Sequence, residues 1–319
     1  MQQGVSVDIV ELIKAALFGL VEGVTEWLPI SSTGHMLLLD QFVSLNVSED
    51  FWNMFLVVIQ LGAILAVCVL YFRQLNPFAP SKTPEQRRGT WSLWAKIVVA
   101  CIPAAVIGIP LDDWMEAHLS SPFVIAAALI VYGVIFIVIE HVREGRAMAR
   151  VAQLADAPRP KHLKEVEEAV LPQATKAELA DVDQPVQSIE QLDMKRAVGI
   201  GCFQILSLVP GTSRSGSTII GGLLLGCTRT VAAEFTFYLA IPVMFGASVL
   251  RLAKFFLAGN ALTAAEGSIL AVGCVVAFVV SILAIRFLMD FVRRHDFQPF
   301  GWYRIVLGAL VILYFLVVR

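Results

Sequence analysis

The sequence predicts an all-α polytopic membrane protein with six transmembrane helices and two re-entrant helix-loop-helix hairpins in an inverted-topology repeat. Three observations support this fold class. In the 319-residue chain 57% of the residues are hydrophobic, 16% are charged, and the mean hydropathy is +0.75, a composition typical of multi-pass membrane proteins. Apolar runs of membrane-spanning length recur along the chain. Two further apolar segments are interrupted by proline, glycine and hydroxyl residues.

Six segments approach the length of about 20 residues that the hydrocarbon core of a bilayer requires. They cover about residues 51–72, 95–110, 122–140, 233–250, 268–289 and 302–318. The five cysteines are odd in number and lie in apolar segments, which argues against a disulfide framework.

Two other apolar segments, at about 8–43 and 197–228, are broken in the middle. The first is interrupted by "PISSTGH", which begins at Pro29, and the second by "LVPGTSRSGST" at 208–218. Backbone that leaves helical geometry at membrane depth must be covered by protein or line a water-filled cavity. Each segment is therefore predicted to be a re-entrant hairpin.

The two broken segments resemble each other. "LPISSTG" aligns with "VPGTSRSG" when one glycine is inserted, so that Ser31 and Gly34 match Ser213 and Gly216. The spans that follow, "FWNMFLVVIQLGAIL" and "FTFYLAIPVMFGASV", also correspond. These matches predict an internal repeat in which each half is one hairpin plus three spans.

The repeat divides the chain into three parts. Residues 1–140 form the predicted first repeat and residues 197–319 the second. Between them, residues 141–196 are a hydrophilic insertion with mixed charge, several prolines and the helix-favouring stretch "KHLKEVEEAV". We expect this insertion to be a partly helical or disordered cytoplasmic loop.

Basic residues predict the orientation in the membrane, because they concentrate in cytoplasmic loops. The predicted 111–121 loop, "LDDWMEAHLSS", has no lysine or arginine and is placed outside. The first hairpin then enters from outside and the second from the cytoplasm, which makes the repeat inverted. The residues assigned to the cytoplasmic side are Arg73, Lys82, Arg87, Arg88, Lys96, Arg143, Arg146, Arg150, Lys195, Arg196, Arg286, Arg293, Arg294 and Arg304.

Glu22 and Glu26 are four residues apart and therefore share one helical face. A charged carboxylate in mid-membrane costs about 2.5–3.5 kcal/mol on insertion scales, so two on one face indicate water, a metal or a basic partner. They can hold a hard divalent cation, or one of them can act as a base. The alternative is that both are solvated near the headgroups.

After Pro29, "SSTGH" places Ser31, Ser32, Thr33 and His35 at the start of a short helix, where free N–H groups favour an anion. A hydroxyl with an imidazole three or four residues away is also a candidate nucleophile and base. Ordinary N-capping by serine or threonine is the alternative.

The second broken segment, "PGTSRSGST", has the composition of a phosphate-binding helix start. Glycine lets a phosphate approach the backbone closely, and the hydroxyl groups of Ser213, Ser215 and Thr218 can donate hydrogen bonds to it. Arg214 offers a planar fork for phosphate oxygens. A broken transporter helix that binds another anion is the alternative. The repeat would bring Glu22, Glu26, Ser32 and His35 to face Ser213, Arg214 and Thr218 in one buried cavity.

The chain resembles the undecaprenyl-diphosphate phosphatases, bacterial membrane enzymes associated with bacitracin resistance. The stretches that carry the resemblance are "EGVTEWLPISSTGH" at 22–35 and "PGTSRSGST" at 210–218, and "IQLGAILAV" and "EFTFYLAIPVMFGA" are also similar to family segments.

The resemblance implies a multi-pass protein of the bacterial inner membrane that hydrolyses undecaprenyl diphosphate to undecaprenyl phosphate and inorganic phosphate. The implied site opens to the extracytoplasmic side and uses a divalent cation, magnesium or calcium, at Glu22 and Glu26. Ser32 is then the candidate nucleophile and His35 its acid or base partner. Ser213 and Arg214 hold the diphosphate, and Ser31, Thr33, Ser215 and Thr218 assist. No nucleic acid partner is expected, and a homodimer is a candidate assembly.

Two alternatives have specific weaknesses. A type 2 phosphatidic acid phosphatase needs a catalytic histidine after the Ser-Arg pair, but the corresponding position here is Ile220. A lipid-phosphate transporter or flippase is the alternative from another class, because inverted repeats with broken helices are a transporter architecture. Phosphate release by the purified protein distinguishes the two classes.

Overall fold

The computed structural model describes residues 8–155 and 175–317, which are helical apart from short connections and one isolated bridge between Val186 and Cys227. Short 3-10 turns cover Ile189–Gln191 and Leu206–Leu208. The α-helices within these ranges are α1 (Ile9–Thr25), α2 (Ser32–Asp40), α3 (Glu49–Val58), α4 (Gln60–Leu70), α5 (Phe72–Leu75), α6 (Pro84–Leu119), α7 (Pro122–Ala155), α8 (Lys176–Val182), α9 (Met194–Ile205), α10 (Arg214–Leu224), α11 (Arg229–Leu257), α12 (Ala264–Val292) and α13 (Gln298–Val317).

Among the described residues, six helical segments are long and apolar enough to cross a membrane. They confirm the six predicted spans, with α3 and α4 together forming the first. The segments are Glu49–Leu70, Pro84–Leu111, Pro122–Gln153, Arg229–Leu257, Ala264–Val292 and Gln298–Val317. The described part of the chain is therefore all-helical, and its helices are those of a multi-pass membrane protein.

The predicted loop at 111–121 was wrong. Helix α6 continues through Pro103 and Pro110 to Leu119, so only residues 120–121 separate it from α7. Charged residues end an apolar span, but they do not end a helix. The helix stops where the serine pair meets Pro122, which disfavours helical geometry in the residue before it.

Helices pack in pairs through small residues that let the backbones approach. Helix α1 packs on α12 and α7 on α13. A Cβ atom at Gly19 would lie 2.4 Å from the Gly273 carbonyl oxygen, and one at Gly133 would lie 2.6 Å from that of Gly301. Such distances exclude any larger residue, as expected for closely packed membrane helices.

The described part of the 141–196 segment is folded against the helix ends. Helix α7 continues to Ala155, α8 packs on α7, and the turn at Ile189–Gln191 contacts α6 and α11. The fully buried Arg229 guanidinium pairs with Glu140, and Arg143 Nη2 lies 2.7 Å from Asp181 Oδ1. Buried charges require such pairing because their desolvation is costly. The predicted partly helical character is seen at 141–155 and 176–182, whereas "KHLKEVEEAV" lies outside the described residues.

Candidate active site

Two short helices, α2 and α10, begin with the same local geometry. Their N-caps, Ser31 and Ser213, have φ angles of 73° and 71°. Each serine oxygen accepts a hydrogen bond from the backbone N–H three residues later, at Gly34 (3.4 Å) and Gly216 (3.2 Å). Side-chain-bearing residues rarely adopt positive φ, and such strain concentrates at functional sites. The two interrupted segments thus match at the serine and glycine positions that the sequence alignment pairs.

The same two interruptions meet through Glu26 and Arg214. Arg214 Nη2 donates to Glu26 Oε1 at 3.1 Å, and both side chains are at least nine-tenths buried. Arg214 Nη1 also donates to the Thr236 carbonyl oxygen at 2.9 Å. The guanidinium is therefore held by one carboxylate and one carbonyl, with its planar fork fixed in orientation.

Ser32 is joined to the same carboxylate. Its hydroxyl donates to Glu26 Oε2 at 2.7 Å. Glu26 thus connects a serine hydroxyl through one oxygen and an arginine through the other. A hydroxyl within hydrogen-bond reach of a carboxylate is the arrangement that allows proton removal from a nucleophile.

Glu22 lies one helical turn before Glu26 and is 1% exposed. Its Oε1 atom is buried and has no hydrogen-bond partner among the described residues. An unpartnered carboxylate oxygen in an apolar interior is costly unless a proton or a cation compensates it. The two carboxylates therefore fit a hard divalent cation, which takes oxygen ligands.

The described residues supply few ligands for that cation. No group of three or more histidine, cysteine, aspartate or glutamate side chains able to hold a metal occurs among them. Magnesium commonly binds through one or two carboxylates plus substrate phosphates and water. Glu22 and Glu26 fit this pattern better than the larger oxygen cage that calcium prefers.

Ser215 links the two interrupted segments by hydrogen bonds. Its hydroxyl, 1% exposed, donates to the Glu26 carbonyl oxygen at 3.0 Å and lies 3.0 Å from Ser213 Oγ. Thr218 is fully buried, donates to the Arg214 carbonyl oxygen at 2.9 Å and accepts from Thr236 at 2.8 Å. These two hydroxyls support Glu26 and Arg214, while Thr33 is exposed at the start of α2.

His35 is held away from Ser32. Its Nδ1 lies 2.7 Å from the Ser31 carbonyl oxygen and its Nε2 lies 2.7 Å from the Tyr303 hydroxyl. A carbonyl oxygen only accepts, so Nδ1 carries the proton and neutral Nε2 accepts from Tyr303. The two rings stack with centroids 5.6 Å apart. Within the described ranges, His35 has no hydrogen bond to Ser32 or Glu26.

Arg304, which the charge pattern counted among the basic residues around a cytoplasmic connection, lies instead inside α13 and in the protein interior. This side chain is fully buried, and its guanidinium donates to the carbonyl oxygens of Pro29 (3.0 Å), Gly211 (2.9 Å) and Thr212 (2.9 Å). No carboxylate among the described residues pairs with it, and it lies over the Tyr132 ring at 5.4 Å. Arg304 therefore binds both interruptions through their backbones.

A periodic signal marks Arg304 as buried. Gly301, Arg304 and Gly308 are spaced by three and four residues and share one face of α13. Both glycines pack against the backbone of α7. An arginine on a glycine-lined packing face belongs to the interior, whereas the count of basic residues grouped Arg304 with those around the last connection.

Membrane-type helices around a buried cluster of carboxylates, hydroxyls and arginines define an integral membrane protein with a site suited to a phosphate-bearing ligand. The profile of the family described as "Bacitracin resistance protein BacA" matches residues 15–310. The chain belongs to this family.

Several relatives match the chain almost end to end. An undecaprenyl-diphosphatase of Streptococcus agalactiae is 52% identical over 311 residues, which cover 98% of this chain and 99% of the relative. Undecaprenyl-diphosphatases of Limosilactobacillus fermentum and Lactiplantibacillus plantarum are 50% and 49% identical over 307 and 311 residues. These cover 96% and 98% of this chain, and 98% and 100% of the respective relatives. The names give no support to the transporter alternative.

Proposed function

We propose that this protein is an undecaprenyl-diphosphatase that hydrolyses undecaprenyl diphosphate to undecaprenyl phosphate and inorganic phosphate. The observation that carries the proposal is the joined set of Ser32, Glu26 and Arg214 in a chain about half identical to undecaprenyl-diphosphatases. The activity recycles a lipid carrier of cell-wall synthesis and connects the protein with bacitracin resistance. The substrate lies in the bilayer, so a site among membrane helices matches its location.

The proposed reaction uses Ser32 as nucleophile and Glu26 as base. Ser32 Oγ forms a bond to the terminal phosphorus, and the bond from that phosphorus to the bridging oxygen breaks. Glu26 Oε2 takes the hydroxyl proton, and undecaprenyl phosphate leaves with the bridging oxygen. Water then hydrolyses the phosphoserine to release inorganic phosphate and restore Ser32.

Arg214 supplies the electrostatic part of the reaction. Phosphoryl transfer depends mainly on positioning and on neutralising charge at the equatorial oxygens. When the diphosphate binds, the Arg214 fork exchanges its contact with Glu26 for phosphate oxygens. Ser31, Thr33, Ser213, Ser215 and Thr218 keep their proposed supporting roles in substrate binding.

A divalent cation, magnesium in the first instance, is proposed to bind at Glu22 and Glu26. When bound, it neutralises diphosphate charge and orients the terminal phosphate. The free Glu22 Oε1 atom supports this proposal. His35 is proposed as a further acid or base group, positioned by Tyr303 and the Ser31 carbonyl.

The finer architecture is also proposed: the α1–α2 and α9–α10 units are re-entrant hairpins of an inverted repeat, with the site open to the extracytoplasmic side. The matched left-handed caps at Ser31 and Ser213 support the repeat. Cysteine labelling at Thr33 and at Arg88 from either side of sealed membranes tests the orientation, because the two positions are expected on opposite sides.

Phosphate release tests the proposed function directly. Protein purified in detergent is incubated with undecaprenyl diphosphate, and inorganic phosphate and undecaprenyl phosphate are measured together. We expect equimolar products, abolished by EDTA and by Glu26→Gln. Absence of phosphate release from folded wild-type protein would contradict the proposal.

A further inference from the structure

A cavity of about 580 Å³ lies outside the candidate active site, between the end of α7, α8 and the turn after α10. None of its lining residues belongs to the Glu26–Arg214 cluster. The surrounding basic residues place it on the side predicted to be cytoplasmic.

The α7 wall of this cavity changes from apolar to basic along one helical stripe. Ile139, Arg143, Arg146 and Arg150 are spaced by three or four residues and share a face. Beside the apolar end of the stripe, Val138 and Leu224 are 53% and 56% exposed. An apolar floor that continues into an arginine cluster matches the boundary between acyl chains and headgroups.

The charge of the lining is positive. Three arginines face one carboxylate, Asp183. Arg143 is already paired with Asp181, and its Nη1 also donates to the Leu223 carbonyl oxygen near the end of α10. Arg150 is 61% exposed and only loosely paired, with its Nε 3.5 Å from Asp183 Oδ2. Arg146 is exposed and has no ion pair within the described ranges.

A second cavity, of about 750 Å³, shows by contrast what a balanced lining looks like. Its basic residues Arg73, Lys82 and Lys96 are matched in number by Glu85, Glu190 and Glu234. A neutral lining does not select an anion, whereas the smaller cavity combines positive charge with an adjoining exposed apolar surface.

We propose that the smaller cavity binds the phosphate headgroup of an anionic phospholipid from the cytoplasmic leaflet. Arg146 and Arg150 contact the headgroup phosphate, and the acyl chains lie along Val138 and Leu224. The bound lipid joins α7 to the end of α10, the helix that begins with Arg214. The membrane lipid composition thereby acts on the hairpin that carries half of the candidate site.

Lipid binding by the purified full-length protein tests this proposal. Native mass spectrometry counts retained lipids as phosphatidylglycerol or phosphatidylcholine is added to delipidated protein in detergent. The test variant is R146Q/R150Q and the matched control is R87Q/R88Q, which removes two exposed arginines on the same predicted side. Thermal unfolding in lipid-free detergent checks that both variants are folded.

We expect wild-type protein and R87Q/R88Q to retain one phosphatidylglycerol that phosphatidylcholine does not displace. In R146Q/R150Q its affinity should fall about 30-fold, or about 2 kcal/mol, since each arginine contributes about 1 kcal/mol to anionic lipid binding. Equal affinity in both variants would overturn the proposal. Displacement by phosphatidylcholine would identify a general lipid contact, and displacement by inorganic phosphate at the same concentration would identify a free-anion site; both results would also overturn it.

Discussion

Arg214 and Glu26 are 188 positions apart in the chain, yet Arg214 Nη2 lies 3.1 Å from Glu26 Oε1. Each residue comes from a different interruption of the helical structure, one after α1 and one at the start of α10. Because both side chains are buried, neither charge is stable there without the other or a ligand. The pair therefore places the proposed anion-binding arginine and the proposed proton acceptor in a common site.

The first prediction concerns the geometry of the positively charged side chain at position 214. Arg214→Lys keeps the charge but loses the planar fork that contacts Glu26 and the Thr236 carbonyl. We expect kcat/KM for undecaprenyl diphosphate to fall at least about 100-fold, the usual effect of removing a preorganised donor to a reacting group. Steady-state phosphate release measures this change. A loss under tenfold in folded protein would show that charge alone suffices.

The second prediction concerns Ser32. Because its hydroxyl donates to Glu26 at 2.7 Å, Ser32→Ala should lower kcat by about 1,000-fold or more, as expected when a nucleophile is lost. Ser92→Ala, at an exposed serine of α6, is the matched control and should retain wild-type turnover. Rapid acid quenching of wild-type protein with ³²P-labelled substrate should trap label on Ser32. Full turnover by Ser32→Ala would point to direct attack by water.

The fold was largely predictable because membrane spans depend on local properties. The length of the apolar runs identified all six candidate spanning segments. Proline, glycine and hydroxyl residues marked the two segments whose helices are interrupted. The end of α6 was mispredicted because the polarity of 111–119 reports the end of the apolar span and carries little information about the end of the helix.

The candidate site was predictable only in part. The placement of Glu26 opposite Arg214 followed from the internal resemblance of the two interruptions. The hydrogen-bond partner of Ser32 was not predictable in this way. The three-residue spacing between Ser32 and His35 favoured the histidine, whereas the turn at 26–30 brings Glu26 back to Ser32. Arg304 and Tyr303 come from the last helix, and no local pattern links that helix to residues about 270 positions earlier.

The third prediction concerns Glu22 and the cation. EDTA should abolish phosphate release, and added magnesium should restore it. Glu22→Gln removes one of the two proposed carboxylate ligands, so half-maximal activity should require at least about tenfold more magnesium. Manganese binding followed by electron paramagnetic resonance provides a readout independent of turnover. Unchanged manganese affinity in this variant would remove Glu22 from the cation site.

The fourth prediction concerns the stability that Arg304 provides. Arg304→Met leaves the carbonyl groups of Pro29, Gly211 and Thr212 without their donor in a buried setting. Each buried unsatisfied group costs about 1–3 kcal/mol, so the thermal unfolding midpoint should fall by several degrees and phosphate release should be lost.

Arg293→Met is the control for this change, because Arg293 is 64% exposed and makes only a 3.8 Å surface pair with Asp290. Surface pairs of this kind contribute little to stability, so its unfolding midpoint should match that of wild type. If Arg304→Met were as stable and active as Arg293→Met, the two interruptions would not depend on the buried guanidinium.

The fifth prediction concerns the pair formed by His35 and Tyr303. Tyr303→Phe keeps the stacked ring but removes the hydroxyl that donates to His35 Nε2 at 2.7 Å. One such hydrogen bond contributes about 0.5–1.5 kcal/mol, so kcat should fall by no more than about tenfold, and His35→Ala should have the larger effect.

A double-mutant cycle shows whether the tyrosine acts through the histidine. If it does, the H35A/Y303F protein should have the same kcat as His35→Ala, because the second change removes a contact that the first has already lost. Fully additive losses would mean that Tyr303 acts on the substrate or on α2 independently of His35. Measuring kcat and KM separately distinguishes lost positioning, which lowers kcat, from weaker substrate binding, which raises KM.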